Sequence, residues 1–247
     1  MATSYADALD LIREAGRNGR IVAVGMQRWY NGSDVEMRRV VESGRIGPVR
    51  LINYQEYRGD WYPGTWKYTD PATGKKISWR LLNKTAGSSE LEFSIHAFAT
   101  VASLVKSPLA RLTASGGVVH YNDRETRDIS PLIADFESGA RLNYSFSCFA
   151  LGGGTSCTEL CDKGALRRDG GQLLLAEGGG KFAPLQGGSD AAGERAEAQM
   201  YREFLQDVRE RKPSPLRPEV ALEPSKIAYA AQMSIAEGRI VTAKDFS

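Results

Sequence analysis

Several familiar signatures of chemistry are missing from this 247-residue chain, and each absence removes a class of function. Its 32 Lys and Arg are balanced by 30 Asp and Glu, and no basic run is long enough to attract nucleic acid or a membrane surface. The expected partners are therefore small molecules or further protein subunits. The three cysteines, Cys148, Cys157 and Cys161, are odd in number and lack a C-x-x-C spacing, so they read as reduced core thiols. No phosphate cradle is visible, because Gly152-Gly153-Gly154 and Gly178-Gly179-Gly180 fit neither G-x-G-x-x-G nor a P-loop. No nucleophile elbow surrounds a Ser or Cys. Neither a basic-then-apolar leader nor a run of roughly 18 apolar residues occurs, which together with the thiols leads to the expectation of a cytoplasmic protein.

What is present is an ordinary globular composition, 42% hydrophobic and 25% charged, sufficient for one large domain or two small ones. Ser4-x-x-Asp7 begins a helix with Ala8, Leu11, Ile12 and Ala15 on one face, ending between Gly16 and Gly19. Ile21-Val22-Ala23-Val24-Gly25 reads as a strand covered on both faces, as in a parallel sheet. A short helix over Ser33 to Glu42 and a strand near Val49 to Tyr57 follow. Asp60 to Lys84, rich in Trp, Tyr, Gly and Pro, has no period and reads as a long binding loop. The next helix spans about Leu91 to Val105.

The clearest strand follows the turn Glu137-Ser138-Gly139, where Leu142, Tyr144, Phe146 and Cys148 alternate with Arg141, Asn143, Ser145 and Ser147. Turns at 162–164 and 169–171 suggest a meander with a strand at Leu173 to Leu175. A glycine-rich surface loop over 177–193 then leads to closing helices over Glu194 to Arg211 and Pro224 to Glu237. The expected fold is α+β, a large mostly antiparallel sheet with helices on one face, preceded by a helix and strand of a different character. A domain boundary is placed near Tyr30, dividing 1–30 from 31–247.

Only His96 and His120 offer an imidazole for proton transfer near neutral pH. Glu92 lies four residues before His96, on the same face of an α-helix, and such a pair suits removal of a hydroxyl proton. The alternative for that spacing is an ordinary surface pair or a satisfied core histidine. No second histidine completes a metal site, so none is expected. His120 reads as a surface residue at a strand end. Trp79-Arg80 and the run Tyr57-Arg58-Gly59-Asp60-Trp61-Tyr62 combine flat apolar faces with charged hydrogen-bonding groups, as sugars require, although aromatics that merely pack their own loop read the same way.

Taken in order, Val24-Gly25-Met26-Gln27-Arg28-Trp29-Tyr30, Ser43-Gly44-Arg45-Ile46-Gly47-Pro48-Val49, Gly59-Asp60-Trp61, Ser78-Trp79-Arg80, Glu92-Phe93-Ser94-Ile95-His96, Tyr121-x-Asp123-Arg124-Glu125-x-x-Asp128 and Met233-Ser234-Ile235-Ala236-Glu237-Gly238-Arg239 resemble the Gfo/Idh/MocA oxidoreductases. The resemblance implies a Rossmann domain holding NAD or NADP, followed by a sheet domain that shapes the substrate pocket and forms oligomers. It implies a sugar, inositol or glycoside substrate. His96 then matches the family's catalytic histidine, which acts with a lysine of a Glu-Lys-Pro motif, and Glu92 matches the acidic position four before it. Trp79 and Arg80 are expected to face cofactor and substrate, with Asp60 and Trp61 lining the substrate pocket.

The chain departs from the family pattern at Ala99, where an acidic residue is common, and in the run Ala86-Gly87-Ser88-Ser89. Residues 1–30 correspond to the last helix and strand of the dinucleotide-binding domain, so the glycine-rich portion and the lysine are missing and the chain alone is expected to bind no dinucleotide and to be inactive. The remainder, 31–247, is the substrate-binding and homo-oligomerisation domain. Two other readings stand beside this one: a stand-alone carbohydrate-binding or scaffold module, and a cofactor-free isomerase or lyase using Glu92 and His96.

Overall fold

The structure, a computed structural model, describes residues 1–59, 68–69, 71–74, 76–150, 152–169, 171–185 and 195–246. The first helix, α1 (Tyr5–Arg17), starts where the Ser4 hydroxyl accepts the Asp7 N–H at 3.2 Å and donates to its carboxylate at 2.7 Å. This ties the two side chains of the predicted cap together and satisfies one orphan N–H of the first turn. Helix α2 (Gly32–Glu42) leads into strand β1 (Val49–Tyr57). The two-residue strands β2 (Tyr68–Thr69) and β3 (Lys76–Ile77) pair with each other apart from the main sheet, and a 3-10 turn at Trp79–Leu81 precedes the short helix α3 (Asn83–Ala86).

A π-helical turn, Glu90–Ser94, runs into α4 (Ile95–Val105), and six strands follow: β4 (Leu109–Ala114), β5 (Ile129–Phe136), β6 (Arg141–Ser147), β7 (Gly154–Cys161), β8 (Gly164–Asp169) and β9 (Gln172–Glu177). The strand β10 (Ala183–Pro184), helices α5 (Ala196–Glu210) and α6 (Pro218–Glu237), and strand β11 (Val241–Thr242) complete the chain.

Nine strands form one sheet in the order β10-β9-β8-β7-β1-β6-β5-β4-β11. All pairings are antiparallel except β1 with β6, which requires the long crossover that the intervening segments supply. Alternation along β6 buries Leu142, Tyr144 and Phe146 and turns Arg141 and Asn143 outward. Against the buried face pack Ala97, Phe98, Val101 and Leu104 of α4 and Ile227, Ala228, Ala230 and Ala231 of α6. Each fully buried Leu or Phe contributes about 1.5–3 kcal/mol of transfer free energy. On the other face Ile133 and Leu160 are exposed, so the α+β architecture with helices on one side is as expected.

Several elements differ from the sequence reading. Residues 21–25 make no ladder: Val24 N–H donates to Leu216 C=O at 2.8 Å and Met26 N–H to Val24 C=O, but no strand lies alongside among the described residues. A β-prone run needs a neighbouring edge to become a strand. Helix α6 begins six residues before the expected start. Pro218, not Pro224, takes the favourable N1 position, and Pro224 is carried inside the helix. The segment 60–84 is not uniformly loop, since it contains β2, β3, the Trp79–Leu81 turn and α3; residues 60–67, including the candidates Asp60 and Trp61, lie outside the described residues.

Candidate active site

The site is built where the Trp79–Leu81 turn meets the helix that carries His96. The helix enters through a π-turn at Glu90–Ser94, a wide-ring irregularity that frequently marks functional positions. In that turn the Glu92 carboxylate points to Arg80, with Arg80 Nε 2.8 Å from Glu92 Oε1 in a largely buried ion pair. Burial raises the Glu92 carboxyl above its ordinary range, while Arg80 and the N-terminal amine oppose the rise. The Arg80 guanidinium lies 5.0 Å from the Trp79 ring centroid, within cation–π reach.

His96, one turn further on, has a buried Nδ1 with no hydrogen-bond partner among the described residues. Burial, and after it the positive charges of Arg28, Arg58 and Arg80, push its pKa down to about 4. The imidazole is therefore neutral at physiological pH. The structure thus brings Trp79, Arg80 and Glu92 into contact, and Arg80 is one of the charges acting on His96. His120 lies elsewhere, exposed and stacked on Phe149 at 4.8 Å.

Arg28 was not a site candidate from sequence, and Arg58 stood there only as a member of the run Tyr57 to Tyr62. Arg28 donates to Tyr54 Oη at 2.9 Å and to Glu56 Oε1 at 2.9 Å, Arg58 Nη1 stands 3.6 Å from the same carboxylate, and Tyr144 Oη donates to Glu56 Oε2 at 3.3 Å. Behind them Arg168 donates to Tyr54 Oη at 2.8 Å and to Asp34 Oδ2 at 3.0 Å, and Thr100 donates to Asp34 Oδ1 at 2.6 Å. The result is a buried ladder running from α2 to the site. A signal for part of it existed: Glu56 shares the parity of Ile52 and Tyr54 on β1, so alternation alone places its carboxylate inside.

An open cleft of about 410 Å³ lies beside Arg28, Glu56, Arg58 and Gly154. A second cleft, of about 400 Å³, lies between α4 and α6 among Met26, Trp29, Ala99, Leu216 and Pro224. Neither cleft is lined by Trp79, Arg80, Glu92 or His96; the second is lined chiefly by apolar groups, whereas the first contains Arg28 and Arg58, two of the charges acting on His96. The chemistry therefore favours the first. Among the described residues no cluster of three metal-ligating side chains is assembled.

Residues 35–167, more than half of the chain, match the family model of the GFO/IDH/MocA C-terminal domain. The chain belongs to this family. As a GFO/IDH/MocA domain it shares its fold with an aldose-aldose oxidoreductase from Caulobacter crescentus complexed with glycerol, at 19% identity and a TM-score of 0.80 over 98% of this chain and 70% of that one. An oxidoreductase from Agrobacterium radiobacter in complex with NAD+, L-tartaric acid and magnesium gives 17% identity and a TM-score of 0.80, covering 100% of this chain and 72% of the other. A candidate myo-inositol dehydrogenase from Sinorhizobium meliloti 1021 gives 19% and 0.74, covering 97% and 70%. No curated protein sequence matches the chain. These likenesses establish the GFO/IDH/MocA fold of the sheet and helices. No helix among the described residues is long and apolar enough to cross a membrane.

Proposed function

We propose that this GFO/IDH/MocA chain is the substrate domain of a cytoplasmic NAD(P)-dependent oxidoreductase acting on a hydroxyl of a sugar, inositol or glycoside, with residues 31–247 forming that domain and 1–30 belonging to the dinucleotide-binding one. The observation that carries the reading is His96: a half-buried, neutral imidazole whose inner Nδ1 has no partner among the described residues, in the field of Arg28, Arg58 and Arg80. A neutral imidazole accepts a hydrogen bond from a substrate hydroxyl. The guanidiniums of Arg28, Arg58 and Arg80 favour negative charge developing on that oxygen as its proton leaves. Trp79 offers a flat face to a sugar ring, Arg80 a hydrogen-bonding fork, and Glu92 holds Arg80 in place. Asp60 and Trp61 are proposed to line the same pocket.

NAD or NADP accepts the hydride in the intact family enzyme. Among the described residues no dinucleotide site is assembled: the parallel pair β1 and β6 sits within the large sheet, and no described glycine-rich turn joins a strand to a helix as the pyrophosphate requires. Trp79 and Arg80 would meet only the cofactor's reactive end. A second reading of the same Trp79 face and Arg80 fork is a stand-alone carbohydrate-binding or scaffold module. For either, the open face of the sheet bearing Ile133 and Leu160 is the proposed surface for homo-oligomers.

Isothermal titration of the chain with glucose, myo-inositol and NAD+ tests the reading. Binding of a polyol that falls at least tenfold in Arg80→Gln and in His96→Ala, with no heat from NAD+, is the expected result. Polyol binding that survives both substitutions would overturn the site assignment. Turnover of a polyol without nicotinamide would instead support a cofactor-free isomerase or lyase.

A further inference from the structure

A turn of three residues cannot hold its own place. Within Trp79–Leu81 the backbone bond is Leu81 N–H to Ser78 C=O at 2.9 Å, and a 3-10 turn this short needs bonds from outside to keep Arg80 facing Glu92. Thr85 Oγ1 and Leu82 N–H donate to Trp79 C=O, and the bonds to Arg80 and Leu81 come from one loop. Glu125 N–H and Thr126 N–H both donate to Leu81 C=O, at 2.8 and 3.2 Å, and Thr126 Oγ1 donates to Arg80 C=O at 3.2 Å. Glu125 Oε2 accepts Asn83 N–H at 2.9 Å.

The next residue grips the helix that carries His96. Arg127 Nη1 donates to Glu90 Oε2 at 3.2 Å, and Ser89 Oγ donates to Arg127 C=O. One short stretch, 125–127, thus sets the spacing between the Trp79–Arg80 turn and the first turn of the His96 helix.

The stretch is anchored by Asp128, which is fully buried. Its Oδ1 accepts Val119 N–H at 2.9 Å, and its Oδ2 accepts His120 N–H at 2.9 Å and Tyr121 N–H at 2.8 Å. Its own backbone is pinned to the sheet, donating to Gly117 C=O at 3.0 Å and accepting Cys148 N–H at 3.0 Å. Three converging donors need an acceptor with several lone pairs, which a carboxylate has. An asparagine has one acceptor oxygen, and its amide would turn a donor toward a donor.

We infer that Asp128 is a positioning residue, which through residues 117–127 fixes Arg80 against the helix of Glu92 and His96. This rests on the reading of Arg80 and His96 as site residues. Asp128 itself touches no candidate ligand-binding group. Its effect is transmitted by the backbone bonds to Arg80 and Leu81.

Because the chain has only two histidines, imidazole NMR of the full chain resolves both reporters. His120 reports the loop that Asp128 holds, and His96 reports the site, where Arg28, Arg58 and Arg80 are the charges it feels. Arg80→Gln is expected to raise the His96 pKa by roughly one unit, since a like charge disfavours protonation. Asp128→Asn is expected to move His96 in the same direction by at least half as much, and the double variant to match Arg80→Gln alone. Thr126→Val, which removes the hydroxyl bond to Arg80, is expected to give a smaller shift of the same sign, and it decides the matter if Asp128→Asn does not fold.

A His96 titration unchanged by Asp128→Asn and Thr126→Val, or additive effects in the double variant, would overturn the inference. If Arg80→Gln itself leaves His96 unmoved, it is instead the placement of Arg80 beside His96 that fails.

Discussion

Two buried glutamates face the same side of the sheet on adjacent strands, and they live in opposite circumstances. Glu56 on β1 is 1% exposed and receives Arg28, Tyr144 and Arg58. Glu159 on β7 is 0% exposed, and neither carboxylate oxygen has a hydrogen-bond partner among the described residues. Burial pushes Glu159 up to about 8, against a partial offset from Arg168. The difference teaches that depth in this core does not decide whether an acid is partnered. A guanidinium within hydrogen-bond reach does. Glu56 is part of an ion-paired ladder, whereas the unpartnered Glu159, raised to about 8, keeps its proton at pH 7.

The comparison breaks most severely at Arg168. Arg168→Met removes the bonds to Asp34 and Tyr54 and strands the Asp34 carboxylate in the core, at an expected cost of about 3–5 kcal/mol by urea unfolding. A loss under about 1 kcal/mol would refute that role for Arg168.

The next effect is one of pH. Glu159 binds a proton in the folded chain that the unfolded chain releases, so its contribution is whole below about 4.5 and drains away as pH rises toward 8. His96 works the other way: the unfolded chain takes a proton that the folded one refuses, so its contribution is whole above about 6.5 and is lost as pH falls toward 4. Glu159→Gln is therefore expected to raise the melting temperature relative to the parent at pH 8.5 but not at pH 5. His96→Gln should help at pH 4.5 and not at pH 8. Parallel melting-temperature profiles for parent and variants would refute the assignments. Smallest of all is the effect at the surface, where Arg50 meets Asp162 at 2.7 Å with both side chains exposed. Arg50→Ala should leave the urea midpoint unchanged within error, because water already screens such a pair.

The elements that sequence made legible are those whose pattern is purely apolar against polar. Leu142, Tyr144 and Phe146 alternate without interruption and form β6, and the helix ending at Val105 was equally plain. Strand β4 escaped notice because its register shifts between Leu109 and Arg111, so its buried leucines, 109 and 112, stand three apart and lose the two-residue period. The run 21–25 shows the reverse error, β propensity without an edge to satisfy it.

At the site, His96, Glu92, Trp79 and Arg80 could be named from spacing and resemblance. Arg28, Arg168 and Asp34 could not, since each is a charged residue that hydropathy assigns to the surface and only its partner brings inside. Asp128 was visible as part of a pattern, but the three N–H groups it gathers belong to residues seven to nine positions earlier and emerge only with the loop's path.

The place of β1 in the sheet carries a consequence for how the chain is made. It is the first strand of the sheet to be synthesised, yet it lies at the centre, and both neighbours come from far downstream: β6 begins at Arg141 and β7 at Gly154. Until more than half of the polypeptide has left the ribosome, Val49–Tyr57 has neither native edge partner. The meander β4-β5-β6 is by contrast local and can assemble on its own schedule. Folding thus waits on a distant rendezvous, in which an early strand is received late between two sheets-in-waiting, and the barrier is set by that long loop closure more than by any single contact.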